Sequence, residues 1–174
     1  MSNYPIRKPN RLKSFDYSQN AAYFITICTK NRRALLGVVE DAAIGVPHVK
    51  LSACGEITKQ YIESIPTATP DVFVSNFVIM PNHIHLILVV GNITDNGTPR
   101  AASPTKAVIP KIINSLKGLS SKKARFSLWQ RSFHDHIIRN ETEYIRIADY
   151  IENNPAAWEH DCHFISFEGN KEET

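Results

Sequence analysis

The run Asn76-Phe77-Val78-Ile79-Met80-Pro81-Asn82-His83-Ile84-His85-Leu86-Ile87-Leu88-Val89-Val90 constrains this chain more than any other stretch. Two hydrophobic runs meet at Pro81-Asn82, both ordinary turn residues, so the stretch reads as two antiparallel neighbouring strands. Strand side chains alternate between faces, which sets His83 and His85 on one face and Ile84 and Leu86 on the other. Two imidazoles about 7 Å apart on one sheet face can converge on a single divalent cation. A lone histidine would read as a strand-end residue bonded to backbone. A same-face pair in an otherwise apolar strand reads better as a metal site.

At 174 residues and 43% hydrophobic, the chain is long enough for one well-buried domain and too short for two. No run approaches the roughly 18 apolar residues of a membrane span, and the N-terminus is basic and polar. Cys28, Cys54 and Cys162 are odd in number, widely spaced and without a CxxC pair, as expected of reduced thiols. These features predict a soluble intracellular protein.

The formal net charge of +3 hides a segregation. Residues 1–33 hold Arg7, Lys8, Arg11, Lys13, Lys30, Arg32 and Arg33 against Asp16 alone. Residues 105–126 hold Lys106, Lys111, Lys117, Lys122, Lys123 and Arg125 with no acid, whereas residues 141–174 hold nine acids against Arg146 and Lys171. Two basic segments beside an acidic one suggest a polyanion-binding surface. The bland alternative, a solvated helix face, stays open for 105–126.

In chain order, a charged arm (Asn3 to Asn20) precedes a β-branched and aromatic strand, Ala22 to Thr29, closed by the basic turn Lys30 to Arg33. Residues 34–50 read as irregular, with Gly37, Gly45 and Pro47 interrupting any period. Ile57, Tyr61, Ile62 and Ile65 share a helical face, and Pro66 is read as the stop. Strands Asp71 to Met80 and His83 onward follow, then a turn-rich loop over Gly91 to Pro104. The spacing of Val108, Ile112, Ile113, Leu116 and Leu119 predicts a helix from about Thr105 to Arg125, or from nearer Pro110. Leu128 to Ile138 reads as extended. Glu141 to Asn154 is a last amphipathic helix with Asn140 or Thr142 as its cap, and residues from Glu168 on form a charged tail. The layout is α+β, a ferredoxin-like antiparallel sheet with helices packed on one face.

The last helix carries a second chemical signal, Asp149-Tyr150-Ile151-Glu152-Asn153-Asn154-Pro155. Tyr150 and Asn154 are four apart on one helix face, and Pro155 puts Asn154 at the end of the final turn. Read without the histidines, Tyr150 is a packing residue and Asn154 a cap.

Taken together, the segments resemble a known family. Phe15-Asp16-Tyr17, the strand Tyr23 to Thr29, Phe77 to His85 with its Met80-Pro81-Asn82-His83-Ile84-His85 core, Trp129 to Asn140, and Tyr150-Ile151-Glu152-Asn153-Asn154-Pro155 are similar to the REP-associated tyrosine transposases of bacteria, within the single-tyrosine HUH transposases. The resemblance spans about residues 7–162. It departs at 34–50 and 91–104, both read as surface loops.

That resemblance implies an HUH nuclease fold over residues 1–174, with a basic arm over about 1–20 and a flexible tail over about 165–174. It implies a metal-dependent enzyme in which His83, His85 and Asn154 hold Mg²⁺ or Mn²⁺. The cation polarises a non-bridging oxygen of the scissile phosphate. Tyr150 then attacks phosphorus in single-stranded or hairpin, REP-like DNA, leaving a 5′-phosphotyrosine and a free 3′-hydroxyl. A phenolate, with a pKa near 10, leaves better than an alkoxide, so the covalent link can be passed to another 3′-hydroxyl without ATP. The implied setting is the bacterial cytoplasm and nucleoid, as monomer or homodimer, with no membrane partner. Candidate DNA contacts are Arg7, Lys8, Arg11, Lys13, Arg32, Arg33, Lys117, Lys122, Lys123, Arg125, Arg131 and Trp129. For Trp129, stacking on a base competes with burial in the core, and the core is the favoured reading.

His134 and His136 form a second same-face pair, read as structural or DNA-facing, and His160 and His163 are given no role. Two other functions compete: a non-catalytic or domesticated DNA-binding protein of the same fold, and a metal-dependent hydrolase using water with Tyr150 as bystander. A protein–DNA adduct separates the last from the transferase.

Overall fold

A computed structural model describes residues 21–40, 47–91 and 108–164. The basic arm (Arg7, Lys8, Arg11, Lys13), Phe15 to Tyr17, nearly all of the 91–104 loop and the charged tail lie outside the described residues. Four antiparallel strands form the main sheet: β1 (Ala21–Cys28), β4 (Val72–Ile79), β5 (His83–Val90) and β6 (His134–Ile138). Their order is β4-β5-β1-β6, so the histidine strand and β1 are central. The hairpin expected at Pro81-Asn82 is present, closed by Met80 N–H donating to the His83 carbonyl at 2.8 Å.

Alternation along β1 and β5 builds two different faces. Ile25, Ile27, Ile84, Leu86 and Leu88 are fully buried on the first. Each such side chain removed from water contributes about 1.5–3 kcal/mol of transfer free energy. They pack with Ile62 of helix α1 (Ala53–Glu63) and with Ile109, Ile113 and Leu116 of α3 (Val108–Ala124). On the second face, Ile87 and Ile138 pack against Ile147 and Ile151 of α4 (Glu141–Asn153). The α+β antiparallel reading therefore holds, but the expectation that the helices pack on one face does not: they divide between the two. α1 and α3 share one, while α4 crosses the other, because Ile87 and Ile138 also need cover.

Three local expectations change. Residues 34–50 are not irregular throughout: β2 (Gly37–Glu40) and β3 (His48–Leu51) pair as a second, two-stranded sheet. Gly37 is there for close approach. A Cβ on it would stand 2.5 Å from the Lys50 carbonyl oxygen, so a glycine that looks like a breaker is a requirement of the pairing. Pro66 does not terminate a helix but opens a short one, α2 (Ile65–Ala68), where its missing N–H has no helical partner to lose. Within 128–138 only β6 is regular strand, preceded by a single bridge between Thr29 and Trp129.

Candidate active site

Cross-strand register assembles the first half of the site. Cys28 is opposite His83 and Thr26 opposite His85, all on the face that α4 crosses. Thr26 Oγ1 lies 2.9 Å from His85 Nδ1, and the Phe24 ring stacks on His85 with centroids 5.2 Å apart. The two imidazole centroids are 4.5 Å apart. That is closer than flat strand geometry gives, because the rings lean together.

Asn82 is more than an ordinary turn residue. It is 2% exposed, and its amide donates to the His163 carbonyl at 2.8 Å. This leaves its Oδ1 facing His83 Nδ1 at 2.9 Å. Nδ1 therefore carries the proton, and Nε2 of His83 is an unprotonated lone pair. That Nε2 is buried with no hydrogen-bond partner among the described residues, and Asn154 Oδ1 is in the same condition. An unsatisfied buried acceptor costs about 1–3 kcal/mol. Two such acceptors beside an imidazole pair fit a bound divalent cation, which accepts lone pairs from all of them.

α4 brings the second half. Asn140 caps it, its Oδ1 accepting from Glu143 N–H at 2.8 Å, so Asn140 and not Thr142 is the cap. Glu143 also receives Arg139 N–H at 2.8 Å and contacts His136 Nε2 at 2.7 Å. His136 is thus structural, tying β6 to α4. Ile147 and Ile151 face the sheet, which carries Tyr150 to the histidines. Its hydroxyl lies 3.2 Å from His85 Nε2 and donates to Asp161 Oδ2 at 3.0 Å. Asn154, 1% exposed, donates through Nδ2 to the same oxygen at 3.1 Å. Beside Tyr150 opens a cleft of about 490 Å³, lined also by Phe24, Thr26, Cys28, Arg32 and His85.

Electrostatics follow from burial. Desolvation, then the neighbouring imidazoles, holds His83 far below the ordinary histidine value. Desolvation likewise pushes His85 down to about 3, against the opposing pull of Asp161. Both are neutral at physiological pH, the form that ligates a metal. Burial, then the Asp161 charge, raises Tyr150 above the usual phenol range. Burial works against the Asp161 carboxylate too, but the His163 N–H and the donors from Asn154 and Tyr150 outweigh it and keep it acidic.

The structure thus brings His83, His85, Tyr150 and Asn154 together. Arg32 lines the cleft, and Arg33, Lys122, Lys123, Arg125 and Arg131 are exposed. Lys117 is committed elsewhere: Nζ donates to the carbonyls of Gln130, Arg131 (3.0 Å) and Ser132 (3.3 Å), so it staples that segment rather than standing free for phosphate. Trp129 is core, as favoured, and not a stacking platform. It is 5% exposed, with Nε1 donating to Ser120 Oγ at 2.8 Å.

Asp161 and His163 were missed. One ring nitrogen of each of His83 and His85 and one Asp161 oxygen all lie within 4.8 Å of one another, and the His163 ring stands 4.6 Å from that of His83. The available signal was Trp158. A tryptophan just beyond a helix must find cover, and here it is 8% exposed with its ring 6.0 Å from His83, folding the chain back over the site.

No family model matches the chain. An uncharacterized Haemophilus influenzae protein is 35% identical over 173 residues, covering 91% of this chain and 93% of that one. A second, provisionally named a REP-associated tyrosine transposase, is 26% identical over 143 residues, covering 80% and 73%. Among solved structures, a REP-associated tyrosine transposase bound to a REP hairpin superposes with a TM-score of 0.61 at 21% identity, covering 91% of this chain and 74% of that chain. The fold is shared.

Proposed function

We propose, from the premise that this chain is a relative of the REP-associated tyrosine transposases and shares their fold, that it cleaves and rejoins single-stranded or hairpin DNA through a covalent bond to Tyr150. The observation that carries this is the Tyr150 hydroxyl 3.2 Å from His85, beside two buried acceptors, His83 Nε2 and Asn154 Oδ1, that lack partners. A half-exposed phenol, an unmet ligand set and an open cleft coincide at one point.

His83, His85 and Asn154 would hold a divalent cation, Mg²⁺ or Mn²⁺, which supplies Lewis-acid polarisation of the scissile phosphate. The chain's own residues do the rest. α4 presents Tyr150 to the cleft, so attack needs no further ordering of the nucleophile. The Tyr150 oxygen forms a bond to phosphorus as the bond to the 3′-oxygen breaks. That oxygen leaves as a 3′-hydroxyl after taking up a proton, and the 5′-phosphate stays on Tyr150. Asp161 Oδ2 accepts the phenol's hydrogen bond beforehand and is the nearest acceptor for its proton. A later 3′-hydroxyl attacks the phosphotyrosine and restores the phenol. Arg32 at the cleft, with exposed Arg33, Lys122, Lys123, Arg125 and Arg131 and the basic arm at Arg7, Lys8, Arg11 and Lys13, is read as the phosphate-binding surface of a single domain.

The solved relative holds a REP hairpin, so a labelled hairpin of that class is the first substrate to offer. Incubation with Mg²⁺ or Mn²⁺ and a denaturing gel should show a protein–DNA adduct and a shortened strand. Cleavage without an adduct would make water the nucleophile. Binding without cleavage would leave a DNA-binding protein of this fold.

A further inference from the structure

Building on the metal site proposed above, we infer that Asp161, beyond the tyrosine helix, is the anionic ligand of the divalent cation. The other three donors carry no charge: an imidazole ligates a metal through the lone pair of its neutral form, and a carboxamide is uncharged. Mg²⁺ and Mn²⁺ are hard cations that favour carboxylate oxygen. Among the described residues, Asp161 is the carboxylate that shares a 4.8 Å cluster with one nitrogen of each histidine. Nδ1 of His83 is engaged by Asn82 and Nδ1 of His85 by Thr26, so a metal would meet Nε2 of each: that of His83 has no partner among the described residues, and that of His85 contacts only the Tyr150 hydroxyl at 3.2 Å.

The carboxylate has room for a cation. It accepts from His163 N–H at 2.6 Å through Oδ1, and from Tyr150 and Asn154 through Oδ2. Three donors use three of its roughly four lone-pair positions. The same contact sets Asn154. With Nδ2 tied to Asp161, the amide presents its orphan Oδ1 as the free end. Asp161 therefore acts twice, as ligand and as the group that orients another ligand. The segment from Trp158 to His163 becomes part of the active site, held by the buried Trp158 ring.

Mn²⁺ titration of the full chain, followed by calorimetry, tests this without DNA. Asp161→Asn keeps the shape and removes the charge, and should weaken Mn²⁺ binding by about tenfold or more. Circular dichroism of the metal-free proteins should show an unchanged fold; were Asp161→Asn to unfold, Asp161→Ser carries the same comparison. Affinity within twofold of the parent in a folded variant overturns the assignment, as does a parent chain that binds no Mn²⁺. Adduct formation by the parent on hairpin DNA is read in parallel. Asp161-dependent affinity with no adduct sinks the strand-transfer reading alone. An adduct with Asp161-independent affinity sinks the ligand assignment alone.

Discussion

Tyr150 and His83 make opposite demands on a mutagenesis experiment. Tyr150 is half-exposed, and phenylalanine removes only the oxygen that reaches His85 and Asp161. Tyr150→Phe should shift stability by no more than about 1 kcal/mol, since single net hydrogen bonds are worth that much, while abolishing the adduct on a denaturing gel. His83 is fully buried, so it does not merely line a surface as strand alternation alone would suggest. His83→Ala empties core volume and strands Asn82 Oδ1. It should cost about 1–3 kcal/mol in urea denaturation as well as activity, which makes it a poor probe of the metal by itself. The buried imidazoles also predict acid sensitivity. In the unfolded chain they protonate near pH 6.5, while the fold holds both well below it, His85 down to about 3. The unfolded state therefore binds more protons, and stability falls as pH drops below about 6.5. Between pH 7.5 and 5.5, metal-free protein should lose about 2–3 kcal/mol from the pair in urea melts. A flat profile would mean that the rings are solvated.

At the scale of elements, α4 is the device that delivers Tyr150, and its cap lies remote from the chemistry. Asn140 Oδ1 and Glu143 fasten its first turn to β6 through Arg139 N–H and His136. Asn140→Ala should destabilise the protein by about 1 kcal/mol. It should also lower adduct yield more than DNA affinity, measured by gel and by fluorescence anisotropy. Equal losses in both would mean that α4 also grips DNA. The Lys117 staple makes the converse prediction. Replacing Lys117 with Met frees three carbonyls of 130–132 and should lower the melting temperature.

Across the whole molecule, two groups of exposed cations are linked through the backbone. Lys30 N–H donates to the Leu128 carbonyl at 2.7 Å, joining the basic turn after β1 to the segment just beyond α3, whose last turn and following residue expose Lys122, Lys123 and Arg125. Neutralising Lys122 and Lys123 should flatten the salt dependence of hairpin binding by about 0.7–0.9 per lost phosphate contact. Lys117→Met should leave that slope unchanged, because its charge already faces backbone carbonyls. A slope altered by Lys117 and not by Lys122 or Lys123 would move the footprint off these cations.

The sequence alone determined the strands β1, β4 and β5, the Pro81-Asn82 hairpin, the same-face histidines and the helix that ends at Asn154, because each is written in short-range periodicity and in residues that dictate backbone geometry. His83, His85, Tyr150 and Asn154 were legible on that basis and by family resemblance. Tertiary structure decided what depends on chain returning from a distance. Lys117 looked available to DNA and Trp129 stood between stacking and core, with core favoured; they became a staple and a core residue once α3 met the 128–132 segment. Gly37 looked like a breaker until Lys50 was beside it. Asp161 and His163 lay in an acidic stretch with no period to read. They reach the histidines because burial of Trp158 folds that stretch back, and no local pattern encodes where a buried ring will find its cover.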